Sequence, residues 1–181
     1  IVIRHFDAGS AETSSKVSRV PVLNAGDGTG HHPTQALLDI YTIYKELGKI
    51  DNLSIALVGD LAHGRTVRSL ANLMGKNCKN IQFYFVSPDN VNMKDDIKEM
   101  LEGYGASFEE HTNLKEVAKK VDVIYQTRIQ RERFSSVEEY QKAKGVYIID
   151  EEILSVMEKD AIIMHPLPRV DEIDYKVDKD P

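Results

Sequence analysis

The sequence predicts an α/β protein in which helices cover both faces of a mostly parallel sheet, giving three α/β/α layers. From residue 54 to residue 164, short apolar runs alternate with amphipathic segments of helical periodicity. Such alternation is typical of a parallel sheet that is buried on both faces. The chain has 181 residues, of which 41% are hydrophobic and 29% charged, as is usual for a globular protein.

The elements can be assigned in order from these patterns. We predict strands over residues 1–3, 20–23, 54–58, 81–86, 121–126 and 161–164, and an edge strand over 106–109. We predict helices over residues 8–18, 33–47, 64–74, 94–104, 114–120, 137–143 and 151–158.

The segment 24–44 organises the rest of the chain. A polar, glycine-rich loop with glycines at positions 26, 28 and 30 leads into a helix that starts at Pro33 and stops before Gly48. The free N–H groups of the first helical turn and the helix dipole favour an anion there. His32 and Gln35 are three residues apart and share a helix face. The alternative is an ordinary capped junction between a loop and a helix, with two solvated histidines.

Composition excludes several classes of protein. A net charge of −6 argues against a general nucleic-acid binder, and no run approaches the roughly 20 apolar residues of a membrane span. The single cysteine, Cys78, excludes an intramolecular disulfide and a multi-cysteine metal site. We expect a cytoplasmic protein. Both ends look cut, so we expect a piece of a longer chain.

Polar and basic residues follow the predicted strands. In an open α/β sheet, ligands bind beyond the carboxyl ends of the strands. The guanidinium group of arginine suits the carboxylates and phosphates that would bind there. We therefore expect an anion-binding cleft built from residues that follow five strands: Arg4 and His5, His32 and Gln35, Arg65 and Thr66, Arg128 and Gln130, and His165 and Arg169.

Other candidates have simpler explanations. His5 and His63 fit a structural role as well as a functional one, and Asp27 fits a turn. Arg65 differs, because the dipole at a helix start disfavours a cation and makes a purely structural role unattractive. The stretch around Gly59 and Gly64 lacks the glycine spacing of a dinucleotide fingerprint, so we do not expect NAD.

Five blocks together resemble the catalytic chain of the aspartate carbamoyltransferase family: IVIRH, NAGDGTGHHPTQALLD, VGDLAHGRTVRSL, TRIQRERF and HPLPRVDEI, in this order along the chain. The resemblance implies the carbamoyltransferase fold. It also implies three regions: residues 1–33 as the end of a carbamoyl-phosphate-binding domain, 34–48 as an interdomain helix, and 49–181 as an aspartate-binding domain.

The resemblance implies that the substrates are carbamoyl phosphate and L-aspartate, with no metal or cofactor. It places Arg4, His32 and Gln35 on carbamoyl phosphate, with Arg4 and His32 catalytic. The backbone of Pro166 and Leu167 would contact the carbamoyl NH2 and the attacking amine. The carboxylates of aspartate would be bound by Arg65, Arg128 and Gln130.

The resemblance further implies a homotrimer, to which regulatory chains can attach. The family's Ser-Thr-Arg-Thr motif is absent from these 181 residues, so we expect this fragment alone to be inactive. Ala62-His63 replaces the family's usual Lys-Tyr or Lys-His. Ornithine enzymes carry cysteine where this chain has Pro166, which favours aspartate. A carbamoyltransferase for another amine, or a non-catalytic aspartate-binding domain, are the alternatives.

Overall fold

The structure, a computed structural model, describes residues 1–129, 131, 134 and 136–180. Its strands are β1 Val2–His5, β2 Leu23–Asp27, β3 Ser54–Val58, β4 Gln82–Val86, β5 Ser107–His111, β6 Val123–Gln126 and β7 Ile162–Met164. Its helices are α1 Ser10–Val17, α2 Pro33–Leu47, α3 Arg65–Asn77, α4 Asp95–Tyr104, α5 Leu114–Ala118, α6 Val137–Ala143 and α7 Glu151–Leu154, with 3₁₀ turns at Asp89–Val91 and Tyr175–Lys179.

The main sheet runs in the order β5-β4-β3-β6-β7, and these neighbours pair in parallel. The chain therefore moves outward from β3 to β5, then crosses back to β6 on the other side of β3. Helices pack on both faces, which confirms the predicted fold class. The predicted edge strand is confirmed, because β5 lies at the end of the sheet.

Each face of the main sheet carries its own core. Ile55 and Leu57 of β3 face the cluster under α2, α3 and α4, whereas Ala56 and Val58 face the cluster under α5 and α7. This alternation follows from the two-residue period of a strand. A strand that is buried on both faces therefore consists of an uninterrupted run of apolar residues.

A smaller parallel pair, β1 and β2, lies outside this sheet. The predicted strand over 20–23 is wrong in its position, since β2 begins only at Leu23. Pro21 precedes it and has no N–H to give to a sheet. The strand continues through Gly26 and Asp27, so the glycine-rich loop is shorter than predicted. Similarly, β1 extends through His5, so Arg4 lies within the strand.

Two other predictions differ from the structure. The helix predicted over 151–158 ends at Leu154, after which the Ser155 hydroxyl donates back to the Glu152 carbonyl at 2.7 Å. Helix α2 has the predicted bounds. Helical spacing predicts an apolar face at Leu37, Ile40, Tyr41, Tyr44 and Leu47, but much of that face is exposed. Tyr41 is 62% exposed, whereas Ile43 is fully buried. The helix carries apolar residues on two sides, and its periodicity alone does not select the side that packs against α3.

No helix within the described residues is both long and apolar enough to cross a membrane.

Gly59 lies where the ends of β3 and β6 meet. Its φ of +115° is rare for other residues, and a Cβ would lie 2.6 Å from both the carbonyl oxygen and Oγ1 of Thr127. That hydroxyl donates to the Val58 carbonyl at 2.8 Å. Glycine is therefore required at position 59, where the ends of β3 and β6 approach each other closely.

We expect Gly59→Ala to lower the free energy of unfolding by about 1–3 kcal/mol, because it adds backbone strain and a steric clash. Urea denaturation measures this change. Gly103→Ala is the matched control, since its Cβ position in the exposed part of α4 has no atom within 4 Å other than the helix's own backbone and the adjacent residues. There alanine should stabilise by about 0.5–1 kcal/mol. Equal effects at the two positions would contradict the packing argument.

Candidate active site

The strand order places a crevice at the carboxyl ends of β3 and β6. These neighbours belong to the two halves of the sheet, so their connections leave in opposite directions. Ligands of open α/β sheets bind at such a switch point. Arg65 and Thr66 follow β3, Thr127 and Arg128 follow β6, and all four side chains line the same cavity.

The cavity has a volume of about 220 Å³. The strand β1, the start of α2 and the segment after β7 complete its wall. The resemblance implies eight substrate-contacting residues, and seven of them line the cavity: Arg4, His32, Gln35, Arg65, Arg128, Pro166 and Leu167. The eighth, Gln130, lies outside the described residues. Asp60, Gly64, Thr66, Thr127, His165 and Pro168 complete the lining.

His32 occupies the N-cap position of α2, as the Pro33 signal predicted. Its backbone N–H donates to Ser69 Oγ of α3 at 2.8 Å, which ties the two helix starts together. Burial lowers the pKa of the His32 imidazole, and the charges of Arg65 and Arg4 lower it further. The ring is therefore neutral at pH 7 and keeps one N–H for donation.

Arg65 is the first residue of α3 and extends toward β2. Its Nη1 donates to the Gly28 carbonyl at 3.3 Å, and a Cβ on Gly26 would lie 3.0 Å from its Cζ. Gly26 therefore leaves room for the guanidinium. The sequence identified Arg65 and the glycine-rich loop separately, but only the folded chain shows that they contact each other.

His165 orders the segment that follows β7. Its side chain is 5% exposed, its Nδ1 accepts the Leu167 N–H at 2.8 Å, and its Nε2 lies 2.7 Å from Glu172 Oε1. Glu172 also accepts the backbone N–H groups of Val170 and Asp171 at 3.2 Å. Since Nδ1 accepts, the neutral ring carries its proton on Nε2. Burial lowers the pKa of His165, although the charge of Glu172 opposes that shift.

No local pattern in the sequence singles out Glu172. It lies seven residues after His165 along an irregular segment, so neither a helical nor a strand period connects the two.

Arg128 lines two cavities. Besides the first, it lines a second cavity of about 280 Å³ together with Gln126, Lys144 and Tyr147. The position after β6 therefore places Arg128 at both cavities.

Other candidates have structural contacts. Asp27 accepts the His31 N–H at 2.6 Å and the Gly9 N–H at 2.8 Å. Burial opposes the shift, but these hydrogen bonds lower the pKa of Asp27. His63 Nδ1 lies 3.1 Å from Asp60 Oδ1. Arg169 pairs with Asp178 and is not among the residues that line the cavity, so its predicted place in the cleft is wrong.

His5 stacks on Phe6 with ring centroids 4.3 Å apart. The described residues contain no group of three or more His, Cys, Asp or Glu side chains that could bind a metal.

Comparisons with known proteins agree with this architecture. Residues 51–181 match the family described as "Aspartate/ornithine carbamoyltransferase, Asp/Orn binding domain". Residues 1–45 match "Aspartate/ornithine carbamoyltransferase, carbamoyl-P binding domain".

Individual proteins are similar to the whole chain. It is 59% identical to the chloroplastic aspartate carbamoyltransferase of Arabidopsis thaliana, covering 100% of this chain and 46% of that protein. It is 51% identical to the aspartate carbamoyltransferase catalytic subunit of Methanobrevibacter smithii, covering 98% of this chain and 55% of that protein. The chain thus spans about half the length of the curated relatives it matches.

A solved structure has a similar fold. Trypanosoma cruzi aspartate transcarbamoylase, in complex with carbamoyl phosphate and aspartate, superposes with a TM-score of 0.92 at 41% identity. The match covers 99% of this chain and 59% of the other.

The prediction of a cytoplasmic protein is wrong on this comparison. The relatives from Arabidopsis, rice and pea are named as chloroplastic enzymes. Targeting segments direct a protein to a plastid, so the composition of the folded part does not determine its location.

The two family matches account for nearly all of the chain, and the solved structure shares its topology. The resemblance carried by the five sequence blocks is confirmed, and the chain belongs to the aspartate/ornithine carbamoyltransferase family.

Proposed function

We propose that the full-length protein transfers the carbamoyl group of carbamoyl phosphate to L-aspartate, giving N-carbamoyl-L-aspartate and phosphate for pyrimidine synthesis. The observation that carries this proposal is the convergence of Arg4, Arg65 and Arg128 on one cavity. Both substrates are anions, and the protein as a whole has a net charge of −6, so the local collection of arginines requires an explanation.

In the full-length protein, the described side chains contribute to this chemistry as follows. The aspartate amine attacks the carbamoyl carbon, phosphate leaves with the electrons of the C–O bond, and the proton lost by the amine passes to the departing phosphate. Arg4 and neutral His32 donate to the carbonyl oxygen as negative charge develops on it. Gln35 and the carbonyls of Pro166 and Leu167 contact the N–H groups. Placing both substrates in one cavity supplies the proximity that the reaction needs.

Arg65 and Arg128 bind the carboxylates of aspartate in this proposal, together with Gln130. The regions 1–33, 34–48 and 49–181 serve as the end of one domain, the connecting helix and the aspartate domain. The two family matches, over 1–45 and 51–181, support this division. The proposal also includes a homotrimer that regulatory chains can join, for which light scattering of the full-length protein is the test.

Turnover by the full-length protein tests the reaction. With carbamoyl phosphate as donor, the protein should use L-aspartate and give little product with ornithine, acetylornithine or putrescine, which lack a second carboxylate for Arg65 and Arg128. A preference for any of these amines would contradict the aspartate assignment and favour a related transferase.

The 181-residue chain by itself tests the alternative of a non-catalytic binding domain. We expect no turnover from it, because it spans about half the length of its relatives. Calorimetry with carbamoyl phosphate followed by aspartate decides whether it binds. Ordered binding comparable to that of the full-length protein would contradict the view that the fragment is incomplete.

A further inference from the structure

A buried polar cluster lies directly behind the candidate active site. Asp39 is 3% exposed on α2, and Tyr125 is fully buried on β6. Asp39 Oδ1 accepts a hydrogen bond from Gln35 Nε2 at 2.9 Å, and Asp39 Oδ2 accepts one from the Tyr125 hydroxyl at 2.8 Å. Gln35 lies one helical turn before Asp39 and also lines the cavity. Both oxygens of the carboxylate are thus occupied by donors from two different elements.

This arrangement distinguishes the two ends of the Gln35 amide. Burial raises the pKa of Asp39, but the hydrogen bonds from Gln35 and Tyr125 oppose that shift and favour the carboxylate. An ionised carboxylate only accepts hydrogen bonds, so Asp39 contacts the NH2 end of the amide. The amide oxygen is then left as an acceptor for the cavity. Without Asp39, either end of a glutamine can face a ligand, since oxygen and nitrogen are nearly equal in size.

Tyr125 holds the carboxylate in place. Burial raises the pKa of its hydroxyl, and the neighbouring charge of Asp39 raises it further, so the phenol stays a donor. An unpaired carboxylate at this depth would be costly, and two donors satisfy it. The cluster also connects α2 to β6, the strand that delivers Arg128 to the same cavity.

We propose that Asp39 is a positioning residue that fixes the Gln35 amide with its oxygen toward the cavity, so that the site selects a ligand bearing N–H at that point. The inference rests on the proposed function, in which that ligand is the carbamoyl NH2. A methyl group at the same place, as in acetyl phosphate, has no hydrogen to donate and gains nothing from the orientation.

The test compares the affinities of carbamoyl phosphate and acetyl phosphate for the full-length protein, measured by calorimetry. We expect Asp39→Asn to weaken carbamoyl phosphate about tenfold, the effect of one lost hydrogen bond to a buried group, and acetyl phosphate less than about twofold. In the variant the Tyr125 hydroxyl still donates and binds the asparagine oxygen, which leaves the asparagine NH2 toward Gln35. Gln35 must then accept with its amide oxygen and turns its own NH2 to the cavity. Asp95→Asn, on an exposed carboxylate of α4, is the matched control and should leave both affinities unchanged.

A double-mutant cycle separates positioning from general damage. In a Gln35→Ala background, Asp39→Asn should cause no further loss of carbamoyl phosphate affinity, because the residue through which it acts is gone. A loss that is equal for both ligands, or a full loss in the Gln35→Ala background, would overturn the inference.

Tyr125→Phe provides a second variant if Asp39→Asn does not fold. It removes one donor to Asp39 and leaves the Gln35 contact, so stability should fall while the ratio of the two affinities is kept. A ratio that falls to one in Tyr125→Phe would also overturn the inference. If the wild-type protein does not bind carbamoyl phosphate, the proposed function and this inference are both overturned. If the wild type turns over normally and Asp39→Asn leaves the ratio of carbamoyl phosphate to acetyl phosphate affinity unchanged, only the inference is overturned.

Discussion

Replacing His32 with alanine is expected to lower the kcat for carbamoyl-aspartate formation by about 100-fold or more, with little change in the KM for aspartate. The neutral ring is held at the N-cap of α2, next to Arg4 and Arg65. In the proposed reaction it donates to the carbonyl oxygen as negative charge develops there. A donor that acts on developing charge contributes to the transition state more than to ground-state binding. Steady-state kinetics of the full-length protein measure both constants.

His31→Ala is the matched control for this experiment. His31 is the preceding residue, is exposed, and is not among the residues that line the cavity. Its structural contact with Asp27 uses the backbone N–H, which alanine retains. We expect turnover close to that of the wild type. A His32→Ala variant with unchanged kcat would remove His32 from the mechanism.

Replacing Arg128 with alanine is expected to weaken aspartate binding about tenfold or more. A charge-assisted hydrogen bond to a carboxylate contributes about 1.5–3 kcal/mol, and Arg128 lies where the end of β6 reaches the cavity. Arg128→Lys should recover only part of the affinity, because an ammonium group does not reproduce the bidentate geometry of a guanidinium. Binding of aspartate, or of N-(phosphonacetyl)-L-aspartic acid, to the full-length protein measures this effect.

Arg131→Ala is the control for charge alone. Arg131 is exposed and lines only the second cavity, so its loss should change aspartate binding less than about twofold. Aspartate affinity that is normal in Arg128→Ala, or equally reduced in both variants, would show that Arg128 does not contact the substrate.

Local patterns were sufficient for most of the elements. Pro33 and Gly48 marked both ends of α2 correctly, because a missing N–H and a left-handed φ are requirements of single residues. The same logic placed Arg65 at the start of α3. Errors occurred where distant contacts decide the outcome. The side of α2 that is buried depends on its packing against α3. The start of β2 depends on its pairing with β1, where the Ile1 amino group donates to the Pro21 carbonyl.

The candidate site shows the same division. Most of its residues could be collected from the sequence, because they lie near the carboxyl end of a strand or in the segment that follows it, where ligands of α/β proteins bind. The sequence did not reveal Asp39, Tyr125 and Glu172, which contact the site residues from behind. Asp39 and Tyr125 are 86 residues apart, and the hydrogen bond that joins them has no local signal.

The sequence by itself determined the type of fold, the helix starts that carry His32 and Arg65, and the family to which the chain is similar. These properties depend on residue periodicity, on capping chemistry and on motifs that are contiguous. Only the tertiary structure decided that β6 returns beside β3, so that Arg65 and Arg128 share one cavity. It also decided which end of the Gln35 amide faces that cavity, because strand order and buried hydrogen bonds are set by packing between segments distant in the chain.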